Sequence, residues 1–421
     1  MKSYLYLILL ILCLSQVNAQ DWEKRHSFAK TYFGIDNYIA TNLANGSFLN
    51  ANNEVESFQK HGFITPSINI GATHFWGHAD FFISISTIDI KFGEDKIENS
   101  YRLGTFTGLR VYPIASKEQS IRPYIGYKFS PFRYTQKDLK NDQFKFTQVK
   151  SVVDIGLGIQ LSKFYFTLEY SRVINPDFDI YLSREVVSQD QFPEHLFQIG
   201  VNYMMETTKG ANNQLSKQAN DQFSASNKWG LFFGIGPSAS FPIKSSNYVT
   251  DKYPFLDDKT FPVIYPDIAL GYHFTKLDII SALSFRPISQ TRSAYGIEQK
   301  IQRHSINMEA YKYIADYHGF VPYIGLGLSY EKLHFSEKDN GHETSSFNTN
   351  EFSPNLVFGW DIRPSVKGDG WVLRTNLRYY PFLELEHQGK KLSLQHLEFN
   401  FIQFVIYPQR LKQIKKIAST Y

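Results

Sequence analysis

Apolar and polar residues alternate strictly along much of this chain. In the stretch 151–163, every second residue from Val153 to Leu161 is Val, Ile or Leu, and Asp154 and two glycines lie between them. Residues 323–331 repeat this pattern. Because successive side chains of a β-strand point to opposite faces, a period of two predicts strands with one apolar and one polar face. The apolar face suits contact with lipid, and the polar face suits a crowded barrel interior.

Applied along the whole chain, the alternation predicts an all-β, antiparallel, up-and-down transmembrane β-barrel fold with eight strands in each half. Each predicted strand has the ~10 or more residues that a tilted membrane-crossing strand needs. The predicted strands are 31–42, 62–76, 79–92, 101–114, 121–136, 149–163, 164–175 and 194–206 in the first half, and 229–241, 263–275, 277–293, 302–315, 321–337, 352–365, 371–385 and 396–409 in the second.

The predicted connections alternate between long polar loops and short turns. Tight turns at one end and long loops at the other are typical of membrane-spanning barrels with an even number of strands. The long loops are 43–61, 93–100, 137–148, 176–193, 242–262, 294–301, 338–351 and 386–395.

The two halves of the chain resemble each other in sequence. Ile64-Thr-Pro-Ser-Ile matches Ile264-Tyr-Pro-Asp-Ile, and Pro123-Tyr-Ile-Gly recurs as Pro322-Tyr-Ile-Gly, both at an offset of about 200 residues. Matches at nearly one offset, in corresponding predicted strands, indicate an internal duplication. Between the halves, 207–228 is rich in Asn, Gln, Ser and Lys, which predicts a solvated linker.

The N-terminus has the order of a secretory signal peptide, with Lys2, an apolar stretch and Val17-Asn-Ala19. Cleavage after Ala19 would remove Cys13, the one cysteine of the chain, and so leave no disulfide. The bulky residues before Cys13 argue against a lipoprotein site. The predicted organisation is a signal peptide over 1–19, a first eight-stranded barrel over 20–206, a polar linker over 207–228, a second eight-stranded barrel over 229–409 and a basic tail over 410–421.

Composition narrows the class of protein further. The chain has 36 Phe and 27 Tyr, and no stretch after the signal approaches the ~18 apolar residues of a transmembrane helix. The net charge of +4 is too small to indicate a nucleic-acid partner.

Sixteen strands can form two eight-stranded barrels or a single sixteen-stranded barrel. Eight strands leave a lumen filled by side chains, whereas sixteen leave an aqueous channel. Glycines on the predicted inward faces and the long central linker favour two barrels. The single large barrel remains the alternative.

Charged residues fall on the predicted inward faces, where opposite charges could neutralise one another across a narrow lumen. The predicted polar network comprises Arg102, Arg110, Lys128, Asp154 and Glu169 in the first half and Asp267, Arg286, Glu309, Glu331, Asp361, Arg374 and Arg378 in the second.

Aromatic residues near the predicted strand ends are interpreted as interface girdles, in which amphipathic rings lie at the membrane surface. These residues are Tyr112, Phe132, Tyr134, Tyr170, Tyr379, Tyr380, Phe382 and Tyr407.

This combination of features resembles the OmpA/OmpX-like small outer-membrane barrels, in the form of the "outer membrane protein beta-barrel" proteins common in Bacteroidetes. The resemblance covers each half nearly completely and rests on pattern. It implies an integral outer-membrane location, contact with outer-membrane lipid and lipopolysaccharide, and insertion by the barrel-assembly machinery. That machinery typically recognises a final strand with an aromatic end, which Phe399–Tyr407 supplies. The basic continuation Arg410–Tyr421 departs from the family pattern.

A search for catalytic chemistry gives one candidate, His304-Ser305 with Glu309. Adjacent strand residues point to opposite faces, so a direct His–Ser hydrogen bond is not expected. His342 and His387 lack the spacing of a metal site. The loop acids Asp138, Asp142, Glu337 and Asp339 have lysines among them and are interpreted as solvated.

We therefore expect no catalytic residues, metal or cofactor. The leading hypothesis is a non-enzymatic envelope protein with a structural, surface-contact or adhesion role and an extracellular ligand that the sequence does not identify. A passive porin is the alternative and requires the single large barrel. A lipid-modifying outer-membrane enzyme is the weaker third hypothesis.

Overall fold

The structure is a computed structural model. It describes residues 28–41, 43–74, 77–94, 97–116, 120–137, 143–206, 230–256, 263–317, 319–363 and 370–419. The predicted signal peptide (1–19), the linker (207–228) and the loop acids Asp138 and Asp142 lie outside the described residues.

Within the described first half, eight antiparallel strands close into a barrel. The described part of this half contains fourteen strands, of which these eight are a part: β1 (Phe28–Ala40), β2 (Gly46–Leu49), β3 (Val55–Phe58), β4 (Phe63–His74), β5 (Ala79–Ser86), β6 (Ile90–Glu94), β7 (Ile97–Leu103), β8 (Thr105–Val111), β9 (Ile121–Lys137), β10 (Gln143–Leu161), β11 (Phe164–Val173), β12 (Asp177–Tyr181), β13 (Val187–Gln191) and β14 (His195–Glu206). The ring runs β1-β4-β5-β8-β9-β10-β11-β14, and β14 pairs back onto β1. Strands β2–β3 and β12–β13 form separate hairpins.

The described residues of the second half contain a second closed barrel with the strand order β15-β16-β17-β18-β19-β20-β21-β24. Its elements are β15 (Leu231–Pro242), α1 (Asn247–Lys252), β16 (Val263–Phe274), β17 (Ile279–Ala294), β18 (Ile297–Tyr313), β19 (Phe320–Asp339), β20 (His342–Ile362), β21 (Trp371–Tyr380), β22 (Glu384–His387), β23 (Lys390–Ser393), β24 (His396–Ile406) and α2 (Pro408–Ala418).

Each barrel closes on itself, because β1 pairs with β14 and β15 pairs with β24. The prediction of two eight-stranded barrels is confirmed, and the single sixteen-stranded barrel is excluded. The repeated sequences occupy equivalent places. Ile64 and Ile264 lie in the second strand of their barrels, and Pro123 and Pro322 lie in the fifth.

The outer surface of both barrels carries a belt of exposed aliphatic and aromatic side chains, here called the apolar band. Its members alternate with buried residues along each strand, and the most exposed include Ile125 at 66% and Met308 at 65%. An apolar surface that encircles a closed barrel is the lipid-facing surface of a membrane-spanning barrel. The band includes Ile35, Ile68, Ile125, Ile155, Leu168 and Ile199 in the first barrel and Leu270, Leu283, Met308, Leu326, Leu356 and Phe404 in the second. No helix in the described part of the chain is long and apolar enough to cross a membrane.

The predicted strand 101–114 is interrupted at Gly104, and this corrects the placement of Arg102. Leu103 pairs with Phe132, whereas Thr107 pairs with Phe129, so the register shifts by one residue between β7 and β8. A one-residue shift turns the side chains to the opposite face. Arg102 therefore faces outward, where it pairs with Asp89 at 3.3 Å between exposed side chains.

Two predicted loops, 294–301 and 338–351, are strand instead. Strands β17–β20 continue past the apolar band. The two-residue turn Tyr295-Gly296 joins β17 to β18, and the turn Asn340-Gly341 joins β19 to β20. Both residues of each turn have positive φ, at 48° and 81° and at 49° and 83°. Such turns match the twist of the paired strands, which allows the hairpins to project as ladders.

The remaining long connections contain ordered elements at one end of each barrel. The hairpins β2–β3 and β12–β13, with the residues that flank them, cover this end of the first barrel, and α1, the residues after it to Leu256 and the hairpin β22–β23 cover it in the second. We call these coverings cap 1 and cap 2. Tight turns such as Ser162-Lys163 lie at the opposite end, here called the turn end.

Candidate functional site

The lumen of the first barrel is centred on the carboxylate of Glu169. Arg110 donates to it at 2.9 Å, Tyr124 donates at 2.9 Å, and Lys128 forms a further ion pair with it. Lys128 also lies 3.1 Å from Asp154, and all four charged side chains are fully buried. The structure thus brings together four of the five residues that the sequence proposed for this lumen.

The lumen of the second barrel contains two further groups of ion pairs. Arg378 donates to Asp267 at 2.8 Å and also pairs with Glu309. Arg374 donates two hydrogen bonds to the carboxylate of Asp361, of 2.7 and 2.9 Å. A planar guanidinium that bonds one carboxylate through two nitrogens is held in both position and orientation.

Sequence reasoning missed two members of a third group in this lumen. Glu398 pairs with both Arg286 and Arg303, and the Arg303 bond is 2.9 Å long. Ser305 accepts a hydrogen bond from Arg286 and donates to Glu331 at 2.8 Å. Arg303 and Glu398 share the parity of inward-facing residues in their predicted strands, so the alternation alone could have found them.

These contacts cross the lumens. Arg110 of β8 lies 3.4 Å from Gln198 of β14, which is the strand diametrically opposite in the ring. Arg303 of β18 bonds Glu398 of β24, again on opposite sides of the barrel. Charged side chains therefore span both lumens from wall to wall, as the narrow interior of an eight-stranded barrel requires.

Cap 1 closes the first barrel with an aromatic cluster and one buried ion pair. Phe192 packs on the inward-facing Phe132 with ring centres 5.4 Å apart. Lys60 pairs with Asp190, and both side chains are fully buried. Burial lowers the pKa of Lys60 and raises that of Asp190, and the mutual attraction of the two charges opposes both shifts.

Cap 2 is organised by Glu337, which the sequence interpretation wrongly left in a solvated loop. Its buried carboxylate accepts hydrogen bonds from Tyr248 at 2.8 Å, Tyr253 at 2.7 Å, Lys252 at 3.0 Å and Gln299 at 2.9 Å. Burial raises the pKa of Glu337, but these donors outweigh it and lower the pKa to about 2. The carboxylate thus fastens helix α1 to the projecting strands.

Cap 2 is therefore expected to loosen in acid. A carboxyl group with a depressed pKa stabilises the fold above its unfolded pKa, and this stabilisation is lost as the pH falls from about 4.5 to about 2. A depression of this size corresponds to on the order of 3 kcal/mol. The protection factors of the α1 amides in hydrogen exchange, that is, their rates corrected for the intrinsic pH dependence of exchange, should fall across this window.

Two substitutions make this test specific. Glu337→Gln should show fast α1 exchange already at neutral pH, whereas Glu343→Gln, an exposed acid on the same hairpin, should behave like the wild type. Unchanged α1 exchange in the Glu337→Gln protein would contradict this role.

The turn end of the second barrel is covered by helix α2, in the segment predicted only as a basic tail. Arg410 is buried, donates to His273 at 2.9 Å and lies 3.9 Å above the ring of Tyr407. Leu411 and Ile414 pack over Gly370, immediately before β21. The helix thus lies across the inward-facing residues at this end.

Cap 1 contacts both the turns of the projecting strands and cap 2. Arg184 of cap 1 donates to the backbone oxygen of Tyr295 and to Asp339 at 2.9 Å. The Tyr295 hydroxyl donates to the backbone oxygen of Tyr181. Phe255 packs against both tyrosines, with ring centres 6.5 Å from Tyr181 and 5.8 Å from Tyr295. Cap 1 and cap 2 therefore share a continuous apolar contact.

Most of the aromatic residues predicted for the interface girdles lie elsewhere. Tyr170, Tyr379 and Phe382 are exposed, as a girdle requires. The others face inward because their parity in the strand places them inside the barrel, where each packs on another aromatic ring. The inward-facing members are Tyr112, Phe132, Tyr134, Tyr380 and Tyr407.

The pleat of the strand places the catalytic candidates His304 and Ser305 on opposite faces. Ser305 is buried in the lumen network, whereas His304 is exposed on the outer face beside Phe285. Among the described residues no group of three or more His, Cys, Asp or Glu is arranged to hold a metal ion.

Comparisons with known proteins give weak similarities. No family model and no curated protein matches the chain. Ail, the attachment invasion locus protein of Yersinia pestis, solved with the heparin analogue sucrose octasulfate, is 15% identical and has a TM-score of 0.29 over 43% of this chain and 99% of its own. The COG4313 outer-membrane channel from Pseudomonas putida F1 is 8% identical, with a TM-score of 0.22 over 92% of this chain and 99% of its own. Outer-membrane expressed OmpT of Vibrio cholerae is 8% identical, with a TM-score of 0.19 over 90% and 98%. These values are too low to transfer a function.

Proposed function

We propose that this protein is an integral outer-membrane barrel protein of a Gram-negative bacterium that acts through its caps in surface contact, without enzymatic or channel activity. The caps then face the outside of the cell, and the turn ends face the periplasm, as in bacterial barrels generally. Outer-membrane lipid and lipopolysaccharide surround the apolar band, and the barrel-assembly machinery inserts the chain.

The observation that carries this proposal is the ionic bridging of both lumens. A solute-conducting pore needs a continuous water-filled path, and Arg303–Glu398 at 2.9 Å crosses the second lumen completely. Opening that path would separate buried charges at a cost of several kcal/mol. The caps cover one end of both barrels, and α2 covers the other end of the second.

The projecting parts supply the surface for contact. Strands β17–β20 extend past the apolar band, where outward positions carry residues such as Lys300, Lys332 and His334 instead of aliphatic ones. The two joined caps add a second ordered surface at the same end. A protein whose bulk outside the membrane lies at one end is suited to contact with molecules beyond that membrane.

Planar-bilayer recording tests the proposal. The purified full chain should give no steady conductance at voltages at which a sixteen-stranded porin, inserted in parallel, opens fully. Large, stable openings of the wild-type protein would overturn the closed-barrel function. A control for folding is the heat-dependent shift in gel mobility that folded barrels show.

A further inference from the structure

A cleft of about 450 Å³ lies at the junction of the two caps. Phe144, Phe146, Phe178 and Tyr181 line it from the first half of the chain, and Phe255 lines it from the second. Its volume falls within the ~300–1,000 Å³ typical of small-molecule sites.

The aromatic rings of the cleft form one continuous wall. Phe146 stacks on Phe178 with ring centres 4.9 Å apart and planes 13° apart, and it lies nearly parallel to Phe144 at 6.4 Å. Tyr181 continues the wall to Phe255. The face of an aromatic ring carries partial negative charge and attracts cations.

The two charged lining residues in the described part of the chain are both acidic. Asp177 and Asp179 are exposed lining residues, and neither carboxylate is hydrogen-bonded or ion-paired to another described residue. The remaining polar lining residues are neutral. Two basic side chains lie beside the cleft. Lys150 donates to the backbone oxygens of Asn175 and Asp177 and is attracted by the Asp177 carboxylate. Arg184, held as described above, lies 5.8 Å from the ring centre of Phe255.

We propose that this cleft binds an organic cation, a quaternary ammonium or guanidinium group on an apolar stem. The ring faces and the two carboxylates attract the same charge, and the apolar walls provide contact for the stem. Anions are disfavoured by the acidic rim. The inference rests on the proposed function, because outward-facing caps expose the cleft to molecules outside the cell.

Ligand-observed saturation-transfer NMR on the folded full chain tests the site with two cations and their neutral isosteres. The probes are choline against 3,3-dimethyl-1-butanol, and Nα-acetyl-arginine amide against Nα-acetyl-citrulline amide. We expect the Kd of at least one cation to be tenfold or more below that of its isostere. Tighter choline binding identifies a small amine as the source of the cation, and tighter arginine binding identifies a basic polypeptide.

Variants separate charge from shape. Asp177→Asn combined with Asp179→Asn should raise the Kd of the cation at least fivefold and leave the isostere unchanged. Phe146→Leu keeps apolar volume but removes a ring face and should weaken the cation about threefold. Glu185→Gln, an exposed acid of the same cap outside the cleft lining, is the matched control.

Equal binding of cation and isostere, or undiminished cation binding by the doubly substituted protein, would overturn this inference. If either result is accompanied by an absence of conductance in planar bilayers, the closed-barrel function stays in place. Steady conductance together with selective cation binding would overturn the closed-barrel function and leave the cation site in place.

Discussion

Replacing Arg378 with methionine is expected to prevent the second barrel from reaching its compact, heat-modifiable form. The substitution leaves Asp267 and Glu309 buried without their cation. Removing one partner of a buried ion pair costs on the order of 3–5 kcal/mol, and here two carboxylates lose the same guanidinium. An unheated gel should show a species with only one folded barrel, and denaturant unfolding should lose its second-barrel transition.

Two further variants interpret that result. Arg172→Met removes an exposed ion pair with Glu194 and should cost less than about 1 kcal/mol. Combining Arg378→Met with Asp267→Asn and Glu309→Gln should restore much of the lost stability, because no buried charge is then left unpaired. An Arg378→Met protein with wild-type unfolding would show that the lumen charges do not stabilise this barrel.

Lys60→Met is expected to detach cap 1 while the first barrel stays closed. Lys60 lies outside the ring of eight strands, and its loss leaves the carboxylate of Asp190 buried beside Tyr101. The cost, on the order of 3–5 kcal/mol, is confined to the cap. Limited trypsin digestion should then cleave rapidly after Arg184 in the freed hairpin, and the heat-dependent gel shift should persist.

The double variant decides whether charge or packing is responsible. Lys60→Met with Asp190→Leu removes both charges and should return cleavage at Arg184 close to the wild-type rate. Lys390→Met, which breaks an exposed pair with Asp251, is the control and should leave cap 1 unaffected. Rapid cleavage of the double variant would assign the effect to lost packing around the lysine.

The barrels were predictable because a lipid-facing strand displays its environment at every second residue. The alternation in 151–163 and 323–331 predicted β10 and β19, and the repeated sequences predicted that the halves are equivalent. Whether a residue has an odd or even position in its strand also predicted its inward or outward direction better than its distance from the strand end did. Tyr134 shares the parity of Lys128, and the structure places both inside although Tyr134 lies near a strand end.

Other features depend on interactions that alternation does not encode. The break at Gly104 shifts the register by one residue, and no hydrophobic signal marks the shift that turns Arg102 outward. Alternation identifies the inward charges but not which of them meet, because the meeting of Arg303 with Glu398 depends on the stagger between strands.

The caps and α2 were missed for a different reason. Their apolar residues are few and lie within polar segments, as Phe255-Leu256 does in the predicted loop 242–262. Such residues become informative only when the barrel supplies a surface for them to cover. Leu411 and Ile414 have the spacing of a helix face, but Lys412 lies between them and Lys415 and Lys416 follow. The Asn340-Gly341 pair is typical of a two-residue hairpin turn, but the sequence analysis placed it in the long loop 338–351.

The pairing of first strand with last in each barrel has an evolutionary consequence. The backbone ladder of either half is complete without the other, so a recombination event within the central segment would leave no exposed sheet edge in the surviving half. Descendants of this gene are free to gain or lose a barrel in one step. What such an event would change is the number of surfaces presented, and with it the junction at which the two caps meet.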